Sequence, residues 1–418
     1  MKGRKLLMIP GPIEFEPDVL QALGKATTSH VAPNFIEVFG NSLELMRKVW
    51  KSPKGQPFIV AGTGTLAMDM AAANLIEKGD SVLVISTGYF GLRFKDILDR
   101  YGANTTILEA PLGEVVSLEL IEKELKNKHY KALTVTHVDT STGILVDPKP
   151  IAKLSQKYNT LSILDAVCSV AGEEINQDEW GLDVVLTGSQ KAIGVPPGLA
   201  LLVVSKKAME VWENRKTPVF NYYSDWNNWL PVMKAYEERN PSYFGTPPVN
   251  LIVALETSLK IICKEGIRER VKRHQILAKA FRSGITSLKL ETIAKSEKIA
   301  ANTLTAAYYP KGIDGSTLIK KIANNDVIIA GGLLSEIKTT YFRIGHMGSV
   351  SANDLIAVLC ALEKALLELG HNILPGESLE AFQNELLRSR QSKNGKRGSK
   401  NIGSTYDNNR FIIVDCDL

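Results

Sequence analysis

A lysine ends the run Gly188-Ser189-Gln190-Lys191, and an aspartate closes the mostly apolar segment Leu161-Ser162-Ile163-Leu164-Asp165 upstream of it. A third element, Gly62-Thr63-Gly64-Thr65, opens an Ala- and Met-rich stretch. A lysine just beyond a strand end can form a Schiff base with the aldehyde of pyridoxal 5′-phosphate. Lys191 would then shuttle protons once substrate displaces it, a task that partial desolvation and nearby positive charge favour. A carboxylate at the end of an earlier strand suits the other half of that chemistry. Beside the pyridine nitrogen, Asp165 would keep the ring protonated and make it an electron sink. The Gly-Thr turn offers backbone N–H groups, hydroxyls from Thr63 and Thr65, and the positive end of a helix dipole at Gly64, which suit a dianionic phosphate. Taken singly these are a surface lysine, a helix cap or salt bridge, and a tight turn. Their order and placement carry the reading.

Other residues fit the same site. Val167, two residues beyond Asp165, can pack against a cofactor ring. Phe90, in Gly88-Tyr89-Phe90-Gly91, can stack on a flat ring or serve as an ordinary core aromatic. Thr140, in Asp139-Thr140-Ser141-Thr142-Gly143, can donate to the cofactor's phenolic oxygen or belong to a plain turn. Arg343 sits in the apolar run Tyr341-Phe342-Arg343-Ile344-Gly345 and needs an anion, either a substrate α-carboxylate or a structural ion-pair partner. His137 has no metal-ligand partners at suitable spacing and reads as structural, and no metal site is expected. Glu265–Lys272 reads as a solvated helix face. No lysine follows the Gly-Thr turn at P-loop spacing, and the second half of a dinucleotide fingerprint is missing.

The elements that must position these residues alternate strand and helix over residues 60–205. Short apolar runs predict strands at Ser81–Ser86, Ala132–Thr136, Leu161–Asp165, Val184–Gly188 and Leu199–Val204. Helices are expected at Leu66–Glu77, Gly91–Tyr101, Leu118–Lys128 and Pro150–Tyr158. Such alternation implies an α/β fold with a mainly parallel sheet. Ligands bind such sheets at the carboxyl ends of the strands, where Thr140, Asp165 and Lys191 all fall. An aromatic- and Pro-rich connection follows at 219–247, then a helix from about Val249 to Cys263. A smaller α+β domain comes next, with strands Asn302–Tyr308 and Thr339–Ile344. Ser351-Ala352-Asn353-Asp354 has capping-box spacing and should start a helix running to Leu369. The expected divisions are an N-terminal segment 1–20, a large domain 21–255, a small domain 256–375 and a basic tail 376–418.

The chain has 418 residues, 44% hydrophobic and 23% charged, enough for about two globular domains. Its net charge of +5 is partly in the tail and does not suggest a nucleic-acid partner. Cys168, Cys263, Cys360 and Cys416 form no CxxC pair, which argues for a reducing compartment and against a disulfide framework or structural zinc. No apolar run has membrane-spanning length and the N-terminus lacks a signal-peptide core, so cytoplasm is the expected location. Arg388–Lys400 is basic, without acidic residues or core formers, and is expected to be disordered.

These residues in this order resemble the class V aminotransferases of fold type I, in particular the alanine–glyoxylate and serine–pyruvate/serine–glyoxylate branch. The resemblance runs from Pro10-Gly11-Pro12 to about Leu369. Its most specific segments are Gly188–Lys191 with Pro196-Pro197-Gly198, Ser141-Thr142-Gly143, Asp165-Ala166-Val167-Cys168-Ser169, and Arg343-Ile344-Gly345. It implies Lys191 as the Schiff-base lysine, Gln190 as a phosphate ligand and Asp165 as the pyridinium partner. It also implies Thr63 and Gly64 in the phosphate turn, Thr140 near the phenolic oxygen, and Arg343 as the carboxylate-binding arginine. Tyr243 and Thr246 would reach the phosphate of the neighbouring subunit, which implies a homodimer with shared active sites. Phe90 stands where many relatives carry Trp. Thr28–Phe35 lies where the family lines the substrate mouth. The implied reaction moves the amino group of alanine or serine to glyoxylate or pyruvate. A lyase of the same fold, such as a cysteine desulfurase, needs a cysteine on a mobile loop, which neither Cys168 nor Cys360 offers. A non-enzymatic scaffold would be expected to lack Lys191 or Asp165. A nicotinamide-dependent reductase is disfavoured by the incomplete glycine fingerprint.

Overall fold

The computed structural model describes residues 5–395. Its large domain is built on a seven-stranded sheet in the order Gln56–Ala61, Leu199–Val204, Val184–Gly188, Leu161–Asp165, Ala132–Thr136, Ser81–Ser86, Asn104–Glu109. All run parallel except Leu199–Val204, which is antiparallel to both neighbours. The reversal has a local cause. Only residues 189–198 separate it from Val184–Gly188, too few for the crossover a parallel strand needs.

The expected strands of residues 81–204 all form, because helices cover both faces of the sheet and only apolar runs can be buried on both sides. The two edge strands were not foreseen. Gln56–Ala61 contains Pro57, which an edge tolerates, and Asn104–Glu109 is polar and half-exposed.

Several helices were also missed, among them two that bear on the large core. Pro33–Trp50 starts on Pro33 and buries Phe35, Phe39, Leu43, Met46 and Trp50. Trp226–Glu237 lies inside the segment read as connection, with Asp225 capping it through the Asn227 N–H. The two pack together, with Phe39 and Tyr236 stacked 4.3 Å apart.

The domain divisions move as well. The helix Val249–Glu265 runs unbroken through residue 256, and its Ile252, Leu255, Leu259 and Ile262 belong to the large core. The break comes at Gly266, whose φ of +84° ends one helix and starts Ile267–Ser287, which packs in the small domain's core through Phe281 and Ile285. Leu6–Leu7 pairs in parallel with Val327–Ile328, so the N-terminal strand belongs to the small domain. That domain carries an antiparallel sheet of Leu304–Tyr308, Tyr341–Gly345 and Ala330–Gly331, and Ser351 and Asp354 form the expected capping box.

The tail expectation is corrected from 376 onward. Glu377–Gly395 is helical, and Phe382 is fully buried beside Leu379 and Leu386, an apolar stripe thin enough to be overlooked among charges. Glu385 pairs with Lys279 at 2.6 Å. The rest of the expected basic tail, with Cys416, lies outside the described residues.

Candidate active site

The carboxyl ends of the central strands surround a cavity of about 190 Å³ lined by Thr63, Gly64, Thr65, Met68, Phe90, Arg93, Val138, Thr140, Asp165, Val167, Gln190 and Lys191. Asp165 ends its strand inside the protein. Its carboxylate accepts from the Val167 N–H at 3.0 Å and the Thr136 hydroxyl at 3.5 Å. Burial, with help from the charge of Asp139, pushes its pKa up to about 7. Among the described residues no cationic side chain forms an ion pair with it.

Lys191 is 8% exposed, and its Nζ donates to the Pro10 carbonyl. Burial lowers its pKa, and the Arg343 charge adds to the effect. Its backbone is held firmly. The Ser189 hydroxyl donates to Pro196 O at 2.7 Å and accepts from the Leu199 N–H at 3.2 Å. The buried Arg270 guanidinium donates to Ala192 O at 2.9 Å and Ala171 O at 3.0 Å. Gly11 covers the lysine from above at φ +105°, where a Cβ would lie 2.6 Å from Lys191 Cδ.

Also lining the cavity, the helix Gly64–Leu75 starts with no side-chain cap, which leaves its first N–H groups open. A Cβ on Gly188 would meet Gln190 Oε1 at 2.7 Å and Gly64 N at 2.9 Å, so the Gln190 amide sits against this helix start. That buried Oε1 has no hydrogen-bond partner among the described residues.

Phe90 lies in the first turn of the helix Tyr89–Arg100, which is capped from a distant loop. Asp139 Oδ2 accepts from the Phe90 N–H at 2.9 Å and the Gly91 N–H at 3.4 Å, and Ser141 Oγ accepts from the Tyr89 N–H at 3.0 Å. The same loop holds Arg343, which donates to Thr140 O at 3.1 Å and Gly331 O at 2.9 Å. Among the described residues Arg343 has no carboxylate partner, so the ion-pair alternative does not arise there.

The cavity therefore gathers Lys191, Asp165, Thr63, Gly64, Thr65, Phe90, Thr140, Val167 and Gln190. Arg343 stands behind Thr140 and acts on Lys191 through its charge. Tyr243 and Thr246 do not line the cavity; Tyr243 is 63% exposed, its hydroxyl 3.5 Å from that of Thr246. His137 is buried against Ser169 at 3.0 Å, and burial lowers its pKa to about 3.

Met68, Val138 and Arg93 line the cavity without having been foreseen. Arg93 follows Phe90 by three residues, a helical spacing that places both on one face. The positioning role of Asp139 left no sequence trace, because it acts on backbone atoms far along the chain; Arg270, in the stretch Glu265–Lys272 expected to be a solvated helix face, is instead buried against the backbone of Ala171 and Ala192. No group of three or more metal-ligating side chains occurs among the described residues. Cys168 is buried outside the cavity lining and Cys360 lies within the helix Ala352–Glu368.

The class-V aminotransferase family model matches residues 19–350. The chain is 39% identical to alanine–glyoxylate aminotransferase 1 of Saccharomyces cerevisiae over 365 residues, covering 84% of this chain and 94% of that protein. It is 30% identical to serine–glyoxylate aminotransferase of Arabidopsis thaliana over 385 residues, covering 91% and 94%. Among solved structures, the alanine–glyoxylate aminotransferase from Nostoc sp. superposes with a TM-score of 0.82 at 33% identity, covering 88% of this chain and 96% of that one. With a buried lysine and aspartate facing one cavity at the strand ends, the chain belongs to the class-V aminotransferases, enzymes of fold type I.

Proposed function

We propose that this aminotransferase moves the amino group of alanine or serine to glyoxylate or pyruvate, using pyridoxal 5′-phosphate held at Lys191, and that it does so as a homodimer. The observation that carries the reading is the pairing of Lys191 and Asp165 in one cavity that an uncapped helix start also lines. The residues present fit the cofactor. Asp165 is a buried carboxylate whose pKa is raised to about 7, and a ring N–H would satisfy it. The Gln190 amide oxygen is buried without a partner against Gly64. The names of the yeast and plant relatives support the substrate pair.

Pyridoxal phosphate, when bound, supplies the aldehyde that Lys191 engages and a ring that withdraws electrons from the substrate. Asp165 would hold a proton at the ring nitrogen. The open N–H groups at Gly64 and Thr65, the Thr63 hydroxyl and the Gln190 amide would hold the phosphate. Phe90 and Val167 would pack against the ring, and Thr140 would donate to the phenolic oxygen. Arg343 grips the carboxylate that amino donor and oxo-acid acceptor share, so one site serves both half-reactions. Lys191 Nζ takes the proton from substrate Cα. Its lowered pKa keeps more of the amine neutral and able to accept that proton.

The dimer rests on a different observation. Phe220, Tyr222 and Tyr243 are 88%, 75% and 63% exposed, and Tyr222 packs on Phe244 at 5.4 Å. Such an aromatic patch suits a second copy of this chain, which would bring Tyr243 and Thr246 to the other subunit's phosphate. The unpaired Cys168, Cys263 and Cys360 are in keeping with a cytoplasmic location.

The absorption spectrum of the purified protein tests the main reading. A visible band that bleaches with L-alanine or L-serine and returns on adding glyoxylate is expected. A band that persists with both, while L-cysteine yields sulfide, would replace it with a lyase. No band after adding the cofactor would remove the assignment of Lys191.

A further inference from the structure

We infer that Arg93 is a further ligand for the cofactor's phosphate and supplies the positive charge that balances it; this rests on the pyridoxal-phosphate reading above. Arg93 and Lys191 are the cations lining the cavity, and Asp165 is its anion. Lys191 is committed to the aldehyde and Asp165 to the ring nitrogen. The groups at the helix start, Thr63, Gly64, Thr65 and the Gln190 amide, are all neutral. A phosphate held by them alone would be a partly desolvated dianion without a counter-charge, which is costly.

Arg93 is placed to supply that charge. One Nη donates to Thr65 Oγ1 at 3.2 Å and the other to the Tyr89 hydroxyl at 3.3 Å. These neutral acceptors leave N–H donors of the guanidinium unused. Among the described residues no carboxylate pairs with it. Its guanidinium carbon lies 4.8 Å from the Phe90 ring centroid and 5.0 Å from that of Tyr89, so the group is held against both rings. Its anchor also separates it from substrate. Arg343 is tied to Thr140 and Gly331, whereas Arg93 is tied to Thr65 beside the open helix start. An anion at Arg93 therefore sits with the phosphate group and away from the carboxylate that Arg343 would hold.

The test compares pyridoxal 5′-phosphate with pyridoxal, which lacks the phosphate, in full-length wild type, R93Q and R93K. Both ligands can engage Lys191, so one absorbance titration reads both. R93Q should raise the Kd of pyridoxal 5′-phosphate about 10- to 100-fold, the range for hydrogen bonds to a charged group, while pyridoxal stays within about threefold. Inorganic phosphate should compete with pyridoxal 5′-phosphate in wild type and much less in R93Q. Unchanged pyridoxal binding also shows that R93Q is folded. If R93Q does not fold, R93K decides: it keeps charge without the fork and must weaken only the phosphorylated ligand. Equal losses for both ligands would make Arg93 a support for Phe90 and overturn the inference. So would no loss, or a raised KM for dicarboxylic amino acids with cofactor affinity intact. If wild type binds neither ligand, the cofactor reading falls first and the inference with it.

Discussion

Replacing Gly11 with alanine should damage chemistry far more than stability. Gly11 sits at φ +105°, and a Cβ there would lie 2.6 Å from Lys191 Cδ and 2.9 Å from Cε and Nζ. Ordinary contact begins near 3.4 Å, so the lysine or the strap must yield by about 0.8 Å. The strap is poorly placed to move. Ile13 N donates to Gln190 O at 3.2 Å, Gly345 N to Met8 O at 2.8 Å, and Leu6–Leu7 is paired in the small domain. Lys191 therefore takes up most of the shift. A displacement of about 1 Å at a reacting group can cost on the order of 100-fold in rate. The positive φ adds about 1–2 kcal/mol of strain. Gly79 provides the control: its φ is +91° and a Cβ there would meet nothing within 4 Å. Both G11A and G79A should lose about 1–2 kcal/mol in urea unfolding, but G11A alone should lower kcat by about 10- to 100-fold and alter the visible band. G11A with wild-type kcat and spectrum would refute the argument, as would equal activity losses in both variants.

Other variants probe the remaining contacts. Asp165→Asn should reduce turnover by at least about 100-fold. It should also change the pH dependence of stability in the cofactor-free protein. Because burial raises Asp165 from 3.8 to about 7, the folded state keeps a proton that the unfolded chain has released, so stability falls as pH rises from about 4 to about 7. D165N should therefore shrink the difference in unfolding free energy between about pH 5 and about pH 8 by up to about 3 kcal/mol, read by urea denaturation. Arg343→Gln should raise KM for amino donor and oxo acid alike by about 100-fold while leaving cofactor affinity within about threefold, measured by steady-state kinetics and titration. Asp139→Asn removes a full carboxylate from beneath Phe90 and Gly91; it should cost about 1–3 kcal/mol in urea unfolding and weaken the circular dichroism of the bound cofactor.

What the sequence made legible follows burial. Strands covered on both faces must be apolar throughout, so Ser81–Ser86, Ala132–Thr136 and Leu161–Asp165 announce themselves. Residues at or just beyond such strand ends, Thr140, Asp165 and Lys191, inherit that clarity because the strand end sets their position. Edges obey a weaker rule. Gln56-Pro57 and Asn104-Thr105-Thr106 look like turn chemistry, and only the neighbouring strand makes them sheet. Glu377–Gly395 was hidden for the same kind of reason: Leu379, Phe382 and Leu386 are too few to declare a helix until the small domain receives them.

The least legible feature of the site is what the loop Asp139–Thr142 bonds to, and its position explains why. Its side chains face one way, capping the helix that carries Phe90 and Arg93. Its carbonyls face the other: Thr140 O accepts from Arg343, and Ser141 O from the Tyr341 hydroxyl at 2.7 Å. Tyr341 in turn receives the Leu333 and Leu334 N–H groups at 2.8 Å and 2.9 Å, which ties the small domain's own loop to the same point. The helix of Phe90 and the Arg343 guanidinium thus share one short segment, although Phe90 and Arg343 lie in different domains and far apart in sequence. Asp-Thr-Ser-Thr reads as a turn because its local bonds, from Ser141, Thr142 and Gly143 to Asp139, are those of a turn, while the bonds that position the site run to residues far along the chain. A turn whose buried Asp139 accepts, among the described residues, from backbone N–H groups and Ser141 is held by geometry rather than by charge pairing. Its carboxylate therefore depends on four hydrogen bonds, from the Phe90, Gly91 and Ser141 N–H groups and the Ser141 hydroxyl, staying in place together.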